Sequence, residues 1–252
     1  MYRYILIFTI LICISCKNET SEVPVKAEAI IDHAIETAGG HRFDASHIEF
    51  KFRDRLYTAK RNHGHYKYTR LSIRDNDSIL DILSNEGFER YINNEVVTLA
   101  DSMKARYSPS VNSVHYFSIL PYGLNDKAVN KERLDDEKIK DKLYHVVKVT
   151  FNQDGGGEDF EDVFLYWINA ETHKVNYLAY SYNEADGLGV RFREAYNERY
   201  VNGIRFVDYN NYKPSDDNLD LLSLGSRFEN GALKLLSKIE LEAISVSLLD
   251  TE

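Results

Sequence analysis

From Ile48 onward, apolar residues recur at every second position, and turn-forming residues interrupt them at hairpin spacing. Ile48, Phe50 and Phe52 alternate with Glu49, Lys51 and Arg53. Successive strand side chains point to opposite faces, so this pattern specifies a half-buried strand. Residues 56–61 and 65–73 flank Asn62-His63-Gly64, a hairpin signal, and 79–83, 88–92 and 95–99 follow, the last two parted by Asn93-Asn94. The pattern resumes at 143–151, 163–168, 174–182, 189–196 and 204–212, with Gly155-Gly156-Gly157 and Asn169-Ala170-Glu171-Thr172 as turns, and 232–249 reads as a further strand. The 18 tyrosines suit pleated, half-buried surfaces.

Two stretches follow a helical period. Ala27, Ile30, Ile31, Ala34, Ile35 and Ala38 share one helix face, with Pro24 suited to its first turn and Gly39-Gly40 to its stop. Asp101 can cap a short helix through Tyr107. Ser108-Pro109 can start another, whose apolar side is Val111, Val114, Phe117 and Ile119 or Leu120. That second helix reads as a lid over the sheet or as a core-packing helix. The charged stretch 125–142 reads as an exposed connection with a helical turn or two. The expectation is therefore a mainly β (α+β) body, with about eleven antiparallel strands in a curved sheet or half-barrel, an N-terminal helix and a helical lid insert.

The formal charge of −9 gives no positive field for nucleic acid, so DNA and RNA are not expected partners. The two cysteines, Cys13 and Cys16, both lie in the first sixteen residues, so the body holds itself together without a disulfide. Met1-Tyr2-Arg3 is a short positive start. The eleven apolar residues 4–14 are too few to span a bilayer as a helix. Cys13-Ile14-Ser15-Cys16 and the polar run after it resemble a bacterial lipoprotein signal with its lipobox, Cys13 standing where leucine is usual. The resemblance implies a signal peptide at 1–15, acylation of Cys16 and a tether at 16–23; no Pro/Gly-rich linker divides the rest, so a single domain is expected over 24–252. Acylation would make the membrane the first partner, because each buried methylene contributes about 0.8 kcal/mol. Lys17 favours an outer-membrane address and leaves open which face the body occupies.

The helix closing in Gly39-Gly40, the antiparallel meander, and the hairpin from Tyr166-Trp167-Ile168-Asn169 to Lys174-Val175 together resemble the LolA/LolB lipoprotein-localisation family over roughly residues 25–215. That resemblance implies an apolar cavity inside a half-open barrel. Four segments are similar to a family of uncharacterised lipoproteins: Pro121-Tyr122-Gly123-Leu124-Asn125-Asp126, Gly155-Gly156-Gly157-Glu158-Asp159, Tyr166-Trp167-Ile168-Asn169 and the run 191–199. Some of its members carry the label deoxyribose-phosphate aldolase. That label implies a parallel (β/α)₈ barrel with a Schiff-base lysine, for which Lys148 is the nearest match; hairpin-spaced strands argue against it.

Val163, Leu165 and Trp167 face one way and Phe164, Tyr166 and Ile168 the other, so this strand is buried on both sides or lines a cavity. Phe117, Tyr166, Trp167, Tyr180 and Phe192 are the candidate apolar ligand contacts. Arg191 and Arg193, on one strand face, are candidates for a carboxylate or phosphate head group, with cross-strand ion pairs as the plainer use. No metal is expected. The acidic turn of Asp154, Glu158, Asp159, Glu161 and Asp162 lacks EF-hand spacing, and His63 with His65 lacks a third ligand. His115, His145 and His173 stand apart from any nucleophile, and no cofactor fingerprint occurs. The leading expectation is a lipid-anchored binder of a hydrophobic or amphipathic ligand such as a lipid or acyl chain. An envelope scaffold that recruits a protein and binds no small ligand comes next, and an enzyme last.

Overall fold

Short turns between alternating segments force chain neighbours to become sheet neighbours. The computed structural model describes residues 25–156, 160–184 and 187–249. The leader, Cys16, the tether, Pro24 and residues 157–159 of the acidic turn lie outside them.

Ala27–Ala38 forms α1, burying Ala27, Ile30, Ile31, Ala34 and Ala38; Gly39 then ends it at φ 145°, a conformation that favours glycine. A meander follows: β1 (Ala45–Phe52), β2 (Arg55–Asn62), β3 (His65–Arg74), β4 (Asp77–Ser84), β5 (Gly87–Ile92) and β6 (Glu95–Val97). After α2 (Asp101–Ser118) come β7 (Val129–Arg133), β8 (Glu137–Ile139), β9 (Lys142–Phe151), β10 (Val163–Asn169), β11 (Val175–Glu184), β12 (Gly187–Val201) and β13 (Ile204–Pro214). A short α3 (Leu224–Glu229) precedes β14 (Leu233–Ile239) and β15 (Glu242–Leu248).

The first sheet runs β15-β1-β2-β3-β4-β5-β6 and the second β14-β13-β12-β11-β10-β9-β7, with β8 also on β9. Each pairing between these strands is antiparallel. The mainly antiparallel β architecture is as expected, and a parallel (β/α)₈ barrel is not what these residues form. Among the described residues fifteen strands, rather than about eleven, lie in two open sheets. Part of the difference is 129–139, which forms β7 and β8 on the edge of the second sheet instead of a helical connection. Edge strands carry charge to discourage further pairing, and Asn130, Glu132 and Lys138 hid the strand pattern.

The C-terminal ribbon divides as well: β14 pairs with β13 and β15 with β1, so one run of chain joins the edges of both sheets. Asp208, 2% exposed, stitches the bend by accepting from Asn197 Nδ2 (2.5 Å), Arg199 Nη2 (2.9 Å) and the Leu241 backbone N–H (2.9 Å).

The two short helices expected around Pro109 are one continuous α2. Proline removes one N–H and crowds the preceding turn. Here Ser108 Oγ donates to the Lys104 carbonyl (2.9 Å) and Ser110 Oγ to that of Tyr107 (2.8 Å), so side-chain hydrogen bonds brace the helix on both sides of the proline. Asp101 is the first helical residue; Ala100 occupies the cap position, and no side chain caps there.

Candidate functional site

Cross-strand partners share a sheet face, so register alone sorts the six candidate contacts that lie on strands; the seventh, Phe117, is on α2. Phe164, Tyr180 and Arg191 form one row across β10, β11 and β12, and Tyr166, Leu178 and Arg193 form the next. This inner face of the second sheet lies under α1 and the last turn of α2. Leu165, Ala179 and Phe192, and beside them Trp167 and Tyr177, are on the opposite face. Phe117, Tyr166, Tyr180, Arg191 and Arg193 thus come together, whereas Trp167 and Phe192 sit 5.4 Å apart, ring to ring, under α3. Both are fully buried. Phe228 of α3 stacks on Phe192 at 4.8 Å, and Trp167 Nε1 donates to Glu137 at 2.9 Å. Gly225 is needed there, since a Cβ would fall 2.2 Å from Glu137 Oε2.

On the inner face, Phe117 meets Tyr180 at 5.1 Å and Phe164 at 6.0 Å between ring centres. Tyr116 and Tyr166 bring their hydroxyls to 3.3 Å. Burial pushes Tyr116 up to about 12 and Tyr166 well above its ordinary value, so both remain neutral hydroxyls near pH 7. Arg193 is 8% exposed. Its Nη2 donates to the Tyr180 hydroxyl at 2.8 Å, and its guanidinium carbon lies 3.9 Å above Phe117 and 5.8 Å from Tyr209. Its Nε is buried without a hydrogen-bond partner, and among the described residues no carboxylate lies within ion-pair distance of it. Arg191 donates to the Val190 carbonyl and lies 5.2 Å from the Tyr182 ring. The plainer expectation for this pair, cross-strand ion pairing, applies instead to their neighbours: Arg199 pairs with Asp208, and Glu198 with Lys174 and Arg205.

The inner aromatics pack directly against α2: Tyr166 has no exposure. Two surface hollows, of about 660 and 520 Å³, are lined by Asp126–Ala128 with Asn152, Asp154 and Gly155, and by Val25, Lys26 and 133–136; none of the seven candidates lines either.

A second cluster under α2 escaped the sequence reading. On the inner face of the first sheet, Tyr57, Arg70, Asp81 and Arg90 form one row across β2 to β5. Asp81, 1% exposed, accepts from Arg70 (2.6 Å) and Arg90 (2.6 Å). Arg70 also reaches the Ser110 hydroxyl of α2 at 3.0 Å, and Arg90 lies 3.8 Å over Tyr107. His115, also on α2, is fully buried; its ring stacks on Tyr68 at 4.7 Å, and Nε2 faces the Thr69 carbonyl at 3.1 Å. Burial pushes His115 down to about 3, with Arg61 and Arg70 acting the same way against the Thr69 hydrogen bond. Parity was the missed signal: Arg61 and Arg70 occupy the same strand face as Tyr57, Ala59 and Tyr68.

Elsewhere, Lys148 of β9 is about one-third exposed and paired at 3.2 Å with Glu132 of the edge strand β7, an ordinary surface lysine. His63 and His65 are exposed at a hairpin turn, and His145 pairs with Asp136 at 3.1 Å. Glu161 accepts from Asn183. Among the described residues no three His, Cys, Asp or Glu side chains converge. No described helix is long and apolar enough to cross a membrane.

A family model described as a family of unknown function, DUF6503, matches residues 3–241. No curated protein matches the sequence. Among solved structures, a LolA superfamily protein from Nitrosomonas europaea aligns over 91% of this chain and 96% of its own, at 12% identity and TM-score 0.48. A putative outer membrane lipoprotein-sorting protein domain from Vibrio parahaemolyticus aligns over 80% and 98%, at 13% identity and TM-score 0.40. The lipoprotein LppX of Mycobacterium tuberculosis aligns over 61% and 86%, at 11% identity and TM-score 0.28.

Proposed function

The chain belongs to DUF6503, a family without an assigned activity, and from its own residues we propose that it is an envelope lipoprotein, anchored through acylated Cys16, whose single body binds an amphipathic ligand between the second sheet and α2. The observation that carries the reading is Arg193. A guanidinium buried among Phe117, Tyr180 and Tyr209, with no carboxylate beside it among the described residues, is an uncompensated cation on an aromatic wall. A fatty-acyl chain bearing a carboxylate or phosphate matches both parts: rings for the chain, guanidinium for the head. Entry requires the last turn of α2 to lift, because Tyr116 and Phe117 cover Phe164, Tyr166 and Tyr180. That contact is mostly ring packing, which re-forms readily around an inserted chain.

Mass spectrometry of the gently purified protein should find a co-purifying anionic lipid, and a fluorescent fatty acid should bind the delipidated protein. Arg193→Met should weaken that binding by about 2 kcal/mol or more, the loss usual for one partner of a buried charge pair. Absence of both lipid and probe binding refutes the reading. The complete burial of Tyr166 favours a second reading, an envelope scaffold with no small ligand. Cross-linking to one stoichiometric protein, with no extractable lipid, would select it.

A further inference from the structure

Of the four buried arginines, Arg70 has Asp81 and Arg205 has Glu198, while Arg193 lacks a carboxylate among the described residues. Arg61 on β2 lacks one as well. It is 4% exposed, and its Nε, Nη1 and Nη2 are shielded from solvent without a hydrogen bond. Its sheet neighbours are Ser46, whose hydroxyl donates to the Phe43 carbonyl, and Tyr66. Asp44, just before β1, accepts from the Tyr122 hydroxyl at 2.8 Å and lies outside ion-pair distance of Arg61. The guanidinium rests 4.8 Å over Tyr68, a contact that offsets only part of the desolvation of a charge. A buried lysine could lose its proton; arginine cannot.

A second orphan lies against the same ring. His115 stacks on Tyr68, and since its Nε2 faces a carbonyl, the proton is on Nε2 and Nδ1 is bare. That Nδ1 is also buried without a partner. We propose that the inner face of the first sheet carries a second site, in which Arg61 receives a small oxyanion group, a carboxylate or a phosphate, beside Tyr68 and His115. The fork of the guanidinium suits either group, and a phosphate that keeps one O–H also satisfies Nδ1. The anion reaches Arg61 as the C-terminal turns of α2 shift, a movement that the single side-chain hydrogen bond of His115 to Thr69 resists little. This site lies on the other sheet from Arg193 and stands whether or not an acyl chain binds there.

The test is thermal melting of the delipidated protein with inorganic phosphate alone and with myristate alone, for wild type, Arg61→Met, Arg61→Lys and Arg193→Met. A phosphate response of wild type that Arg61→Met loses identifies a free-anion site, and a myristate response that Arg61→Met loses and Arg193→Met keeps identifies the head group of an amphiphile; either supports the proposal. Arg61→Met should melt no lower than wild type without ligand, since an uncompensated charge has been removed, and should weaken the anion by about tenfold or more. Arg61→Lys should retain part of this Arg61-dependent response and Arg193→Met all of it. The proposal is overturned if neither anion gives a response that depends on Arg61, or if Arg61→Met melts lower than wild type while Arg61→Lys does not.

Discussion

Under the first two-thirds of α2 the sheet presents Arg70, Asp81 and Arg90 in one cross-strand row, while under its last turn the other sheet presents Phe164, Tyr166 and Tyr180. The backbone geometry is the same, and the holding forces differ. Charged hydrogen bonds are directional: Arg70 ties Ser110 of α2 to a carboxylate that also holds Arg90. Ring contacts such as Phe117 on Tyr180 tolerate sliding. The helix is therefore pinned at one end and adaptable at the other, and the adaptable end covers Arg193.

The comparison breaks most sharply at Asp81. Asp81→Ala should destabilise by about 3–5 kcal/mol in urea unfolding, because two buried guanidiniums lose their carboxylate. Replacing Arg70, Asp81 and Arg90 together by Met, Leu and Met should come out close to neutral. A loss from Asp81→Ala no greater than from Glu132→Ala, an exposed ion-pair member, would refute the pinned-end account.

His115 gives the next effect. Its folded value of about 3 lies below the ordinary 6.5, so as pH falls through 6.5 the unfolded chain takes up a proton that the folded chain refuses. Stability then falls with pH, by about 2.3 kcal/mol between pH 6.5 and 4.5, and continues to fall until pH reaches the folded value. In His115→Phe, which keeps a ring against Tyr68, that part of the slope should vanish; an unchanged slope would mean that His115 is protonated in the fold. Smallest is the contrast in single hydrogen bonds. Ser110→Ala should lose about 1.5 kcal/mol, because its partner is charged, and Tyr116→Phe about 0.5 kcal/mol. Equal melting temperatures for the two variants would remove the distinction between the two ends.

Period-two alternation and turn residues made β1 to β5 and β9 to β13 legible, because each strand half-faces a core. β7 was not legible, since an edge strand can be polar on both faces, and neither was the continuity of α2, because Pro109 looks locally like a helix start. Arg191 and Arg193 were correctly placed on one face by parity, and Trp167 and Phe192 were wrongly grouped with them. A strand buried on both sides shows no alternation, so β10 could not say which aromatic belonged with α2 and which with α3. The charged row was missed for the opposite reason. Arginine at an inward position reads as an exposed residue until its carboxylate is found, and Asp81 lies eleven residues from Arg70.

The closing ribbon has a consequence for how the molecule is made. Val246 pairs with Ile48, about 200 residues earlier, and β14 completes the other sheet a few residues before it. Neither edge can be finished until β14 and β15 have been made, and contacts of such long sequence separation form slowly. The hairpins of β2 to β5 and β10 to β13 have their partners close by in the chain, so they can pair early, and the two sheets acquire their outer strands only when this ribbon arrives.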